Sequence, residues 1–248
     1  MYNKYHMKEQ KGHVHPINRI YDELVKSFTN MGFEVALDRE VEDEFYNFDA
    51  LNIPKNHPSR DMQDTFWIKG GDKKLLRTHT SPVQIRYMEN HQPPFKIIAP
   101  GKVFRNEATD RTHEAQFHQL EGLVVGEGVS MGHLKKALNN FLKDLYGDDA
   151  EIRLRPGFFP FVEPGVEIDM ICVRCKGKGC PSCAHNGWIE ILGAGMVHPN
   201  VLMAAGIDPK KYSGFAFGVG IDRLAMLKYG IDDVRHLYSG DLRLVNQF

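Results

Sequence analysis

The chain has 248 residues, with 31 basic and 32 acidic side chains and a formal net charge of −1 when histidine is neutral. Apolar residues make up 42% and charged residues 25%, the balance of a folded chain with a continuous core rather than of a disordered one. Near-neutrality excludes capture of a polyanion by bulk attraction and leaves only a local patch for that purpose. No apolar run approaches the roughly 18 residues of a membrane span, and residues 1–15 lack the apolar core of a secretion signal.

Taken in chain order, residues 1–14 read as a polar lead-in. Pro16, Ile17, Ile20, Leu24, Val25 and Phe28 recur at helical spacing, which predicts a helix over 16–31 closed by Gly32. A strand starts at 33–35. Residues 45–64 carry two X-Pro sites and little periodicity, so they read as an ordered loop, too apolar for free solvent. Strands are predicted at 65–68 and 74–77 around Gly70-Gly71-Asp72. Ser81-Pro82 predicts a helix to 90, with Ser81 as its cap. Short strands flank Pro100-Gly101, at 95–99 and 102–106, and a longer one follows at 116–125, making 103–125 an antiparallel hairpin with a polar tip. Ser130 opens a helix that ends near Gly147. Strands at 151–155, 166–172, 187–193 and 214–219 precede a helix near Asp222. Strands and helices do not alternate regularly, which favours an α+β fold with a mostly antiparallel sheet.

Period-two spacing puts Arg105 and Glu107 on one face of the hairpin, and Phe117, Gln119 and Glu121 on one face of its return strand. Two readings fit: cross-strand ion pairs closing a solvent face, or a nucleotide and amine site, with Arg for phosphate, Phe for a base and carboxylates for amines. The tip holds Asp110, Arg111, His113 and Glu114, charges that are either solvated or poised near phosphates. His79 and Ser81 stand where a strand opens into a helix, a place that suits an anion but equally an ordinary cap. Gly214, Ala216, Gly218 and Gly220 keep one side of a strand small before Arg223, as a close ligand or a tight packing junction requires.

Cys172, Cys175, Cys180 and Cys183 form two Cys-x-x-Cys pairs separated by glycines and lysines. Four soft ligands in chelating pairs suit a closed, structural tetrahedral zinc site in a reducing compartment, the alternative being four free thiols in a solvent loop.

Together the strings Phe45-Tyr46-Asn47-Phe48-Asp49-Ala50-Leu51-Asn52, Arg77-Thr78-His79-Thr80-Ser81-Pro82, Phe104-Arg105-Asn106-Glu107, Phe117-His118-Gln119-Leu120-Glu121-Gly122, Phe159-Pro160-Phe161, Gly195-Met196-Val197-His198-Pro199 and the glycine run into Arg223 resemble one family. That family is the alpha subunit of bacterial phenylalanyl-tRNA synthetase, a class II aminoacyl-tRNA synthetase, and the likeness runs from His15 to Phe248. The resemblance implies the class II catalytic fold over 15–248, an antiparallel sheet flanked by helices, with 172–186 as an inserted zinc knuckle. It implies ATP-dependent activation of L-phenylalanine and its transfer to tRNA(Phe). Arg105 and Arg223 would meet the phosphates of ATP, with Glu107 near the adenine amine, Phe117 stacked on the base and His113 near the outer phosphates. His79, Ser81, Gln119 and Glu121 would hold the amino acid's polar groups, and Phe159, Phe161, Val162 and Ala216 would surround its ring. Asp222 stands where class II enzymes usually have Glu, a longer carboxylate.

By the same resemblance Glu163 matches a magnesium site shared with a beta subunit in an alpha2beta2 heterotetramer, and the setting is the cytoplasm. Family members carry an N-terminal helical arm that reaches tRNA, so this chain is expected to lack it. The apolar stripe from Pro16 to Phe28 would then need a cover, most simply a second copy in a homodimer, the alternative being cover supplied entirely within the monomer. Two rival readings are a non-catalytic amino acid or adenylate sensor on the same fold, and a zinc-ribbon nucleic-acid module. The first has no use for two phosphate arginines. The second has few basic residues, Arg174, Lys176 and Lys178, and leaves most of the chain unexplained.

Overall fold

A computed structural model describes residues 12–61 and 64–248. The lead-in therefore falls largely outside the described residues. Its end is tied down where His13 Nδ1 meets the Phe248 carbonyl oxygen at 2.7 Å.

Helix α1 spans Pro16–Asn30, with Pro16 in its first turn, and is followed by Gly32 at φ +82°. Strand β1 (Glu34–Val35) and strand β2 (Val41–Asp43) lead to the one-turn helix α2 (Glu44–Asn47). Two 3-10 turns, Asp49–Leu51 and Pro58–Arg60, occupy the segment read as loop. These pieces are too short to show a helical period. Strand β3 (Lys74–Leu76) pairs with β2, whereas residues 65–68 contribute only an isolated bridge between Trp67 and Leu75.

Helix α3 runs Ser81–Asn90 and strand β4 runs unbroken over Phe95–Phe104, where a break at Pro100-Gly101 was expected. Strand β5 (Gln116–Gly126), helix α4 (Met131–Tyr146) and strands β6 (Ile152–Pro156), β7 (Val162–Ile171) and β8 (Trp188–Val197) follow. Helix α5 (Pro199–Ala204), strand β9 (Ser213–Gly220), helix α6 (Ile221–Tyr229) and the short α7 (Leu242–Val245) complete the chain.

Seven strands form one sheet in the order β1-β4-β5-β9-β8-β7-β6. Every pair is antiparallel except β1 with β4, so the sheet is mixed at one edge. Alternate side chains feed two cores. One face sends Leu120, Val124, Phe217 and Val219 against α1, α4 and α6. The other sends Ile97, Ala99, Leu123 and Val125 against α3, α5 and the 48–53 segment. The α1 stripe is covered within this chain: Ile20 and Phe28 are fully buried and Leu24 is 1% exposed, with Phe28 against Phe141 and Phe217. The stripe is thus satisfied within the monomer, the second of the two expected covers, and by itself gives no reason for a second copy.

Candidate active site

On the second face the apolar ladder of β5 gives way to Glu121 and Gln119, and that of β9 to Ala216, Gly218 and Gly220. The register sets Gln119 beside Gly220 and Glu121 beside Gly218. A Cβ on Gly218 would lie 2.9 Å from Gln119 Nε2 and 3.1 Å from Glu121 Cγ, so the small residues leave room first for these two side chains. Gly193 on β8, beside Gly218, plays the same part for Phe159, whose ring would lie 2.7 Å from an added Cβ. A cleft of about 510 Å³ opens above this floor.

Glu121 is 5% exposed and accepts four hydrogen bonds. They come from Thr80 N at 3.1 Å, Ser81 Oγ at 2.5 Å, Gln84 Nε2 at 2.7 Å and Gln119 Nε2 at 3.1 Å. Burial lifts its carboxyl to about 7, and the Ser81 and Thr80 donors with Arg77 and Arg105 restrain the rise. The helix opening at Thr80 and Ser81 thus holds an anion, as its free N–H groups allow, and the anion is the protein's own carboxylate. Thr80, not Ser81, occupies the N-cap position, and the Ser81 hydroxyl is spent on Glu121. Gln84 was missed in the sequence. Its spacing of three from Ser81 puts it on the same helix face and is the signal that marks it.

His79 also faces the cleft. Both its ring nitrogens are buried and make no hydrogen bond of ordinary geometry among the described residues, the Asn47 backbone being the one hydrogen-bonding group that acts on the ring, and Gln119 Oε1 is buried without a partner. Burial, helped by the nearby Arg105 charge, lowers the imidazole to about 3, so His79 is neutral. Buried polar atoms without partners are rare and mark places where a polar ligand completes the bonding. Phe159 and Phe161 stand on the cleft wall with ring centroids 6.0 Å apart and planes 28° apart, beside Val162 and Ala216. Arg105 and Glu107 line the same cleft, with Arg105 Nε donating to the Thr78 carbonyl at 3.2 Å and its guanidinium 5.0 Å from the Phe117 ring.

The remaining predicted residues lie outside that lining. Phe117 continues along β5 past Gln119. The ladder is carried past β4 by Arg105 N bonding the Ala115 carbonyl at 2.9 Å, so strand alternation places Arg105 on the face of Gln119 and Glu121, whereas Glu107 follows in a turn, its N bonding the Arg105 carbonyl at 2.9 Å. His113 sits on Asp110 at 2.9 Å in the hairpin tip, and the tip is pinned by Arg111 to Asp232 at 3.2 Å. Arg223 is exposed in the first turn of α6. Glu163, 75% exposed, faces His198 Nε2 at 3.4 Å. It offers a single carboxylate, and no group of three metal-ligating side chains surrounds it among the described residues.

The one such group is the four cysteines, all free, with ligand atoms within 4.8 Å of one another. Sulfur separations are 3.8 Å for Cys172–Cys180, 3.8 Å for Cys175–Cys183 and 3.7 Å for Cys180–Cys183. A tetrahedron with metal–sulfur bonds of about 2.3 Å has edges of about 3.8 Å, so the donor set fits a four-coordinate soft ion. Backbone amides of Gly179 and Cys180 donate to Cys175 and Cys183 sulfurs at 3.2 and 3.1 Å, an arrangement that favours thiolates.

Residues 3–248 match the family described as tRNA synthetases class II core domain (F). The chain is 57% identical over 243 residues to the phenylalanine-tRNA ligase alpha subunit of Macrococcus caseolyticus, covering 97% of this chain and 68% of that protein. The subunit of the same name from Caldanaerobacter subterraneus is 56% identical over 237 residues, covering 96% and 69%. That from Staphylococcus saprophyticus is 57% identical over 239 residues, covering 96% and 67%. Among solved structures, pyrrolysyl-tRNA synthetase from Desulfitobacterium hafniense shares the fold with a TM-score of 0.68 at 19% identity, over 90% of this chain and 73% of that one.

Proposed function

The chain belongs to the class II tRNA synthetase core family, and from that premise we propose that it is the catalytic alpha subunit of a phenylalanine-tRNA ligase. The observation that carries this reading is the cleft itself. A buried carboxylate, Glu121, the unpartnered oxygen of Gln119 and the buried His79 ring share one cavity with the aromatic wall of Phe159 and Phe161. An amino acid with a cationic amine and an apolar aromatic side chain satisfies both halves. Glu121 and Gln119 take its ammonium, His79 and Ser81 meet its polar end, and Val162 and Ala216 bound its ring. Tyrosine would bring a hydroxyl against Phe159, Phe161, Val162 and Ala216, none of which has a side-chain partner to offer it.

In the reaction the phenylalanine carboxylate attacks the α-phosphorus of ATP and pyrophosphate leaves. A hydroxyl of the terminal adenosine of tRNA(Phe) then attacks the carbonyl of the phenylalanyl adenylate, forming the ester and releasing AMP. The carboxylate is already ionised and needs no base, so the protein's work is orientation and charge compensation. Arg105 and Arg223 would neutralise phosphate oxygens, Glu107 would take the adenine amine, Phe117 would stack on the base and His113 would approach the outer phosphates from the tip. Magnesium, when bound, supplies Lewis-acid stabilisation of the polyphosphate. Glu163, outside the cleft, would be this chain's ligand to a separate magnesium site shared with the beta subunit.

Cys172, Cys175, Cys180 and Cys183 would hold a structural zinc ion, and four reduced thiols fit a cytoplasmic setting. No helix among the described residues is long and apolar enough to cross a membrane. Pairing of the isolated chain with a second copy rests on the sheet edge β1, where Val35 and Leu37 are exposed. ATP–pyrophosphate exchange with the beta subunit present tests the reading. Phenylalanine should support exchange, tyrosine and leucine should not, and exchange driven best by another amino acid would overturn it.

A further inference from the structure

Two strings singled out in the sequence take no part in the function above: the segment ending at Asn52, and His198-Pro199 with Asn200 following. They meet behind the aromatic wall. Asn52 closes the Asp49–Leu51 turn in the left-handed conformation at φ 58°, which Asn tolerates better than most side chains. Its Nδ2 donates to the Pro160 carbonyl at 2.7 Å, and its Oδ1 accepts from Asn200 Nδ2 at 3.0 Å. The next carbonyl, that of Phe161, accepts from His198 N at 2.9 Å, and that of Phe159 accepts from Val162 N at 3.2 Å. Asn200 N in turn donates to His198 Nδ1 at 3.1 Å.

Each carbonyl from 159 to 161 is therefore held, two of them by groups from outside the loop. The Phe159 and Phe161 rings have no polar atom with which to fix their own orientation, so their mutual tilt follows the backbone beneath them. A pocket is only as selective as its supporting shell is stiff.

We propose that Asn52 and Asn200 are positioning residues that set the geometry of the Phe159–Phe161 wall, and through it the selection of the amino acid. The proposal rests on the reading of this cleft as a phenylalanine pocket. Asn52 acts at the Pro160 carbonyl, and Asn200 holds the Asn52 amide in the orientation that lets it donate there.

The test is steady-state exchange by the chain assembled with its beta subunit. Asn52→Gly keeps the left-handed backbone without strain while deleting the amide, and Asn52→Asp keeps the shape while turning the donor into an acceptor. Both should raise KM for phenylalanine about tenfold, the worth of one well-placed hydrogen bond, with KM for ATP and kcat within about twofold of the parent. Tyrosine use relative to phenylalanine should rise. Asn200→Ala should give a smaller shift of the same kind that does not add to that of Asn52→Gly, and it carries the test if the Asn52 variants fold poorly. Equal movement of both KM values, or no movement, overturns the proposal. A parent enzyme without phenylalanine-dependent exchange would instead reject the function, and this inference with it.

Discussion

The Asp222 carboxylate accepts a hydrogen bond from the His118 backbone amide at 2.8 Å, tying helix α6 to strand β5 one residue from Arg223 and one residue from Phe117. Its other oxygen accepts from the Tyr238 hydroxyl, which also lies 3.1 Å from His118 Nδ1. Burial and the neighbouring Asp222 charge raise the Tyr238 phenol above its ordinary value, so it remains a donor. The Asp222 carboxylate is thus fully employed, as a brace between the two residues proposed to flank ATP.

Replacing Asp222 by Ala strands two donors around a site that is 4% exposed. The expected loss of stability is about 2–3 kcal/mol, read as a lower urea midpoint with unchanged slope. Asp222→Asn should lose less, because its oxygen still accepts from His118. Among molecules that stay folded, KM for ATP should rise more than KM for phenylalanine. An Asp222→Ala midpoint equal to the parent's would show that the brace carries no load.

Glu121 supplies a pH dependence. Burial holds its carboxyl at about 7, above the value of 4.5 expected in the unfolded chain. Between those values the folded state binds the proton more tightly, so the empty protein has stability from Glu121 at low pH and loses it as pH rises towards 7. Substrate binding runs the other way, since an ammonium ion requires the ionised carboxylate. KM for phenylalanine should therefore fall as pH rises from about 6 to about 8, and the dependence should vanish in Glu121→Gln along with most of the affinity. A flat profile in the parent would refute the assignment of Glu121 to the substrate amine.

Ala216 lies between Leu123 and Gly195 in the sheet and contributes its methyl to the cleft beside the aromatic wall. Ala216→Gly removes that methyl at a stability cost of about 1 kcal/mol for glycine in a strand. Ring substituents should then be accommodated, raising kcat/KM for para-chlorophenylalanine relative to phenylalanine. An unchanged ratio would place the far edge of the substrate ring elsewhere.

The elements that were legible in the sequence are those whose neighbours matter least. Helix α1 announced itself by period and by Pro16 and Gly32, and α4 by Ser130 and Gly147. Where the outcome depended on a distant residue, local reading failed. Ser81 has the chemistry of a cap, but Glu121, forty positions on, takes its hydroxyl. Pro100-Gly101 has the chemistry of a break. Yet β4 runs through it because Pro100 lies past the two residues that β1 pairs, where no neighbouring strand calls on the N–H that proline lacks, and because the Arg77 guanidinium occupies the space of a Gly101 side chain. The α1 stripe shows the same limit, since periodicity reveals an apolar face but not what covers it. In the site, Gln119 and Glu121 were found because alternation on one strand is a local signal. Gln84 and Asn52 act through partners that only the fold brings near.

The cysteine unit makes the last prediction. Cys172 and Cys183 are not on an outlying loop: they are fully buried and 4% exposed, and they belong to the same core as α1, α4 and α6. Metal ligation at these positions would therefore close the end of that core between β7 and β8, and losing a ligand would expose it. Protein prepared under reducing conditions should contain about one zinc per chain, with four sulfurs at about 2.3 Å by X-ray absorption. Cys180→Ser removes one of the less buried sulfurs, so its direct packing loss is small and the effect isolates metal binding. The variant should lose most of its zinc and unfold at lower denaturant concentration. Phenylalanine-dependent exchange per folded molecule should stay close to the parent's, because none of the four cysteines lines the cleft. Zinc-free protein of undiminished stability would remove the metal from this account, and a selective loss of exchange at full stability would move the knuckle from the scaffold to the chemistry.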